Sequence, residues 1–198
     1  MPVFTPHQDA ALLAAANWLK HARGSSIFRL FGYAGTGKTA LARHIAEGVD
    51  GKVLFAAFTG KAACVMRSKG CQGAATIHSL IYRARETADE APSFELWDEA
   101  PASKAKLIVI DECSMVDGEL ARDLMSFGVP LLVLGDPAQL PPIQGAGFFT
   151  EAEPDAMLGG PPPGAGRSDR AAVDADPRGQ FAGAGPLRRE RGGAAGGA

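Results

Sequence analysis

The segment Gly32-Tyr33-Ala34-Gly35-Thr36-Gly37-Lys38-Thr39 sets two glycines, an ammonium and a hydroxyl at the spacing G-x-x-x-x-G-K-[ST]. That combination suits one chemistry, the holding of a nucleoside triphosphate with Mg²⁺. Gly35 and Gly37 let the backbone curl on either side of Thr36, so that N–H groups turn inward toward phosphate oxygens. The Lys38 ammonium can reach the β- and γ-phosphates, and the Thr39 hydroxyl can ligand Mg²⁺. An ordinary glycine turn ahead of a helix is the competing reading. The flanks favour the phosphate loop, because Ile27–Phe31 reads as a strand and Ala40–Ala46 as a helix.

Carboxylates come from a second segment. Leu107-Ile108-Val109-Ile110 reads as a buried central strand, and it ends in Asp111-Glu112. Acids at the carboxyl end of a parallel strand sit at the crevice where open α/β sheets bind ligands. Asp111 can then hold the metal, directly or through water, and Glu112 can orient and deprotonate an attacking water. Acidic residues also close strands at solvated loops; the phosphate loop upstream is what favours catalysis here.

Three further strand-following loops carry polar groups. Thr59-Gly60-Lys61 offers a site for a backbone phosphate, or simply a helix N-cap with a solvated lysine. Thr76-Ile77-His78 offers hydroxyl and imidazole, although a lone histidine is more often structural. After Leu131–Leu134, the neutral amide of Gln139 could hydrogen-bond the γ-phosphate and report its loss, on a loop stiffened by Pro137, Pro141 and Pro142.

The elements that must position these groups alternate. Strands are expected at Ile27–Phe31, Val53–Phe58, Leu107–Ile110 and Leu131–Leu134, with helices at Gln8–Ala22, Lys38–Glu47, Lys61–Ser68 and Glu119–Phe127. Thr5-Pro6 gives the first helix its start, with Leu12, Leu13, Ala16 and Leu19 on or near one face. Such alternation implies a mostly parallel sheet with right-handed crossovers. Phe94–Trp97 stands alone in a charged, irregular stretch and is expected to form one arm of a short inserted hairpin.

The 198 residues suit one domain with an appendage, and 46% hydrophobic residues allow a sizeable core. A net charge of −2 excludes a charge-dominated nucleic-acid binder, so any DNA contact must be local. Cys64, Cys71 and Cys113 form no CxxC pair and read as buried or semi-buried free thiols of a reducing cytosol. No signal peptide, membrane span or internal repeat is evident.

In order, Gln8 within an N-terminal helix, GYAGTGKT, FTGKAA, TIHSL, DECSM and GDPAQLPP resemble the first motor domain of superfamily 1B DNA helicases, the RecD-like and Dda-like group that moves 5′ to 3′ on single strands. The resemblance spans about residues 4 to 158. It implies an α/β, RecA-like P-loop NTPase domain with ATP and Mg²⁺ as cofactors, single-stranded DNA as partner, no membrane association and a cytoplasmic location. Protein partners stay unknown. Residue by residue, it implies that Gln8 recognises adenine and that Lys38 and Thr39 serve phosphate and magnesium. Asp111 serves the metal, Glu112 the water and Gln139 the γ-phosphate. Thr59, Lys61, Thr76 and His78 line the single-strand track, and the family's separating pin falls where Phe94–Trp97 lies.

At Gly159 the composition breaks: 25 of the 40 residues to Ala198 are Gly, Ala or Pro. Such a segment buries too little to offset its ordering entropy, so a disordered tail is expected over 159–198, after a domain over 1–158. The family instead continues into a second RecA-like domain, through a segment like TEVHRQ, whose arginine acts on the phosphoryl group. A one-base shift of codons for Gly159–Gly164 permits Glu-Val-His-Arg-Gln, so the tail is expected to be out-of-frame translation. The chain is then expected to bind nucleotide without unwinding DNA. The alternatives are another class of P-loop ATPase, or a non-enzymatic nucleotide-dependent DNA-binding module.

Overall fold

Burial along the strands alternates from one side of a sheet to the other, and the layers follow from it. The computed structural model describes residues 4–85, 93–139 and 147–159. In chain order the elements are α1 (Pro6–His21), β1 (Ile27–Gly32), α2 (Lys38–Glu47), β2 (Val53–Ala57), α3 (Gly60–Ser68), β3 (Ala75–Thr76) and α4 (Ile77–Ile81). The hairpin strands β4 (Tyr82–Arg85) and β5 (Ser93–Leu96) follow, then β6 (Leu107–Asp111), α5 (Gly118–Met125), β7 (Leu131–Gly135) and β8 (Ala156–Leu158).

Six strands pair in the order β3-β2-β6-β7-β1-β8, and every pairing among them is parallel. This is the mostly parallel α/β sheet expected from the alternation, and the RecA-like architecture that the resemblance implies. Ile108, Ile110, Leu131 and Val133 face a layer containing Ile77, Ile81, Leu120, Leu124 and Phe149. Their neighbours Leu107, Val109, Leu132 and Leu134 face Ala11, Ala15, Leu41 and Ile45 of α1 and α2. Both faces are covered, so β6 and β7 read as continuous apolar runs. Among the described residues no helix is long and apolar enough to cross a membrane.

Local signals hold closely. Thr5 caps α1 in a capping box with Gln8, and Pro6 takes the first turn. Phe94 pairs with Ala84 in an antiparallel β4–β5 hairpin. Tyr82, at its base, donates to Asp123 Oδ2 of α5 at 2.5 Å.

Several expectations need correction. Thr76–Leu80 is not a loop, because Thr76 ends β3 and caps the short helix α4. The fourth expected helix closes at Met125, two residues before Phe127. Leu12, Leu13, Ala16 and Leu19 share a face as expected and line an open groove; Leu12 and Leu19 also pack against the core beside buried Ala11 and Ala15, and Leu13 is 68% exposed. Cys71 and Cys113 are buried, whereas Cys64 is exposed. Leu140, Pro141, Pro142 and the tail from residue 160 lie outside the described residues.

Candidate nucleotide site

Strand register fixes the site. Phe31 of β1 pairs with Gly135 of β7, and Ile110 of β6 pairs with Val133 of β7. Gly32, Asp111 and Gly135 therefore leave the sheet along one edge, at the carboxyl ends of parallel strands. The loop after β1 closes over that edge. Gly35 and Gly37 hold φ of 80° and 87°, left-handed conformations that a side chain resists. Gly37 precedes α2 with no side-chain cap, and the helix's first turn carries no acid. Its free N–H groups and positive dipole end face the cleft, as an anion site requires.

Gly35, Gly37, Lys38, Thr39, Asp111, Glu112 and Gln139 all line this one cleft of about 550 Å³. Lys38 Nζ donates to Gly32 O at 2.5 Å and Tyr33 O at 3.0 Å, so bound phosphate would exchange with carbonyl oxygens already in place. Thr39, 8% exposed, donates to Asp111 Oδ2 at 3.1 Å. A hydroxyl beside a carboxylate is a donor set suited to Mg²⁺, which takes few protein ligands and keeps waters and phosphate oxygens.

Glu112 is strained. Its φ of 56° is the only positive value at a non-glycine residue among those described, and its N–H donates to Asp111 Oδ1 at 3.0 Å. The bend turns its carboxylate out of the strand and into the cleft. Cys113 follows, fully buried. Burial first, and the Asp111 charge second, push its thiol up to about 12, so it stays neutral beside the carboxylates.

Other sequence-derived residues lie around this centre. Gln8 does not line the cleft. It sits against the outside of the loop, Nε2 donating to Thr36 O at 3.2 Å while Oε1 accepts from Thr5 N. Thr59 and Thr76 both act as N-caps, accepting from Ala62 N and Ser79 N. Register pairs Ala57 with Thr76, so their loops leave the sheet at one corner, with exposed Lys61 and His78 beside them. The His78 ring lies 6.0 Å from Phe58 and 5.6 Å from Tyr82.

Sequence reasoning missed Lys69, which brings a second cation to the cleft, and Ser114, which donates to Gln139. Lys69 lies in no motif, and Ser114 lies within DECSM without a periodic signal or a chemical partner nearby in sequence. A larger groove of about 890 Å³ lies at the opposite end of the strands, beside Asp50, Lys106 and Pro130. It lacks the phosphate loop and the acids, so the smaller cleft is the chemical site.

The AAA domain family matches residues 6–158. The ATP-dependent DNA helicase dda of Enterobacteria phage T4 is 31% identical over 120 residues, covering 57% of this chain and 27% of the phage protein. The ATP-dependent DNA helicase PIF1 of Emericella nidulans is 32% identical over 145 residues, covering 61% of this chain and 18% of that protein. Among solved structures, the Pif1 helicase from Bacteroides in complex with ADP-AlF3 and ssDNA aligns with a TM-score of 0.51 at 26% identity, over 72% of this chain and 34% of that one. The match thus spans only a minor part of each relative. The likeness to superfamily 1B motor domains, read from motif order, holds in sequence and in fold.

Proposed function

This chain belongs to the AAA domain family, and on that premise we propose that residues 4–158 are the ATP-binding motor domain of a 5′–3′ DNA helicase or translocase acting on single-stranded DNA. One observation carries the reading: phosphate loop, Asp111, Glu112 and Gln139 converge on a single cleft from three separate strands. Relatives named as ATP-dependent DNA helicases, and one solved with ADP-AlF3 and ssDNA, support the choice of ATP and DNA.

In this reading, Lys38 leaves the loop carbonyls for the β- and γ-phosphates, and the α2 N-terminus receives the same charge. Thr39 and Asp111 hold Mg²⁺, which neutralises developing phosphate charge when bound. Glu112 orients the attacking water and takes its proton, while Gln139 meets the γ-phosphate. Gln8 reads adenine after giving up Thr5 or Thr36. Thr59, Lys61, Thr76 and His78 hold the strand, and the β4–β5 hairpin is the separating pin. A cytoplasmic location and a domain boundary near Leu158 belong to the same proposal. So does out-of-frame translation of residues 159–198, which resequencing across the Leu158 and Gly159 codons tests.

Calorimetry with Mg²⁺-ATP tests the core of this reading. Lys38→Ala is expected to weaken binding at least tenfold, because a charge-assisted contact to phosphate is lost. Equal affinity in the variant would refute the site. The non-enzymatic alternative, a nucleotide-dependent DNA-binding module, is not favoured by relatives named as ATP-dependent DNA helicases. Nucleotide-dependent strand binding without turnover would support it.

A further inference from the structure

Ser114 lies two residues beyond Glu112 and is 3% exposed, one of two buried polar or charged residues among those described. The other, Thr39, is already part of the metal corner. Ser114 Oγ donates to Gln139 Oε1 at 2.9 Å, across 25 residues of chain. Both ends of this contact are fixed by backbone. Ser114 sits in a 3-10 turn, Cys113–Met115, with Gly147 packed so closely on its carbonyl that no side chain fits there. Gln139 closes a turn in which its N–H donates to Asp136 O and Ala138 N–H donates to Asp136 Oδ1.

We infer that Ser114 is a positioning residue that sets the polarity of the Gln139 amide, turning its NH₂ toward the γ-phosphate. The inference rests on the nucleotide reading of the cleft and adds a residue to which no role has yet been given. An amide has one acceptor end and one donor end, and only the donor end can bind a phosphate oxygen. With Oε1 engaged by the buried hydroxyl, Nε2 is left for the cleft. A flip would set oxygen against phosphate and turn the hydroxyl from donor to acceptor, leaving its buried proton to find another acceptor. Because Ser114 follows Glu112 on the same turn, the group that activates water and the group that reads phosphate share one support.

The test is a double-mutant cycle read by calorimetry on the full chain, with Mg²⁺-ATPγS and Mg²⁺-ADP as probes. The quantity followed is the ratio of the two affinities, which reports the γ-phosphate alone. Ser114→Ala is expected to lower that ratio roughly tenfold, the scale of one hydrogen bond to a charged group. Gln139→Ala should lower it as much, and the double variant no further. Ser114→Cys, close in shape but a weak donor, should fall between and serves if Ser114→Ala does not fold. A wild-type ratio in Ser114→Ala or Ser114→Cys, with Gln139→Ala lowered, overturns the role of Ser114 and leaves the site intact. An additive double variant also overturns it. If neither probe binds the wild-type chain, the nucleotide reading itself falls, and this inference with it.

Discussion

Glu112 lines the cleft in a backbone conformation that a non-glycine residue rarely adopts. Its left-handed φ of 56° is a conformation that costs an L-residue roughly 1–2 kcal/mol, and glycine adopts it freely. Glycine also frees the unfolded chain, by about 0.5–1 kcal/mol, which offsets part of the relief. Glu112→Gly should therefore be more stable than Glu112→Gln by about 0.5–1 kcal/mol in urea denaturation, since both remove the carboxylate and only one removes the strain. Equal midpoints would mean that the bend is not stored strain. The carboxylate itself was legible in the sequence, because metal and water chemistry demand acids at a strand end near a phosphate loop. The strain was not, since nothing in Asp-Glu-Cys-Ser marks a left-handed turn. Ser114 was equally silent: a hydroxyl in a short turn joins no periodic pattern, and its partner is 25 residues away.

At the scale of elements, the strands and helices that carry strong local patterns appear where those patterns place them, and α2 matches to the residue. The misses have a common cause. β3 has two residues and β8 three, too short to show alternation, and each exists through pairing with a distant strand. Helical periodicity likewise selected the face of α1 bearing Leu12 and Leu19, but not that this face both packs on the core and lines a groove. The short β3 matters for function, because it brings the Thr76 cap beside the end of β2 and so gathers the proposed strand contacts at one corner. Few cations stand there. Binding to DNA should accordingly be weak, prefer single strands and fall with salt, with each phosphate contact on a single strand contributing a slope of about 0.7 in log K against log salt. Lys61→Ala should flatten that slope by close to one contact in a fluorescence-anisotropy titration. An unchanged slope would remove Lys61 from the track, and tight double-strand preference would remove the track altogether.

Whole-molecule behaviour follows from the buried core and from what the cleft lacks. Cys113 ionises near 9.0 when unfolded and is pushed up to about 12 in the fold, so between those values the native state keeps a proton that the unfolded chain has lost. Its contribution is full below 9.0 and is lost as pH rises, at about 1.4 kcal/mol per pH unit while this group titrates alone. Urea denaturation on either side of pH 9.0 should show that decline, less steep by one proton in Cys113→Ala. The same accounting of groups applies to turnover. Lys38 and Lys69 are the cations of the cleft, and no arginine lines it among the described residues. In the proposed site Lys38 would meet the ground-state phosphates as well as the transition state, and so would add mainly to binding. Arginines that meet the transferring phosphoryl group contribute roughly 10³–10⁵ in rate. With no arginine lining the cleft among the described residues, the 198-residue chain is expected to bind Mg²⁺-ATP yet hydrolyse it only at trace rates. On the proposal that residues 159–198 are out-of-frame translation, restoring the frame after Leu158 should recover turnover, and Glu112→Gln should then stop it while leaving ATP bound. A phosphate-release assay showing robust, DNA-stimulated hydrolysis by the 198-residue chain would sink this expectation, since it would place the missing positive charge within residues 1–198.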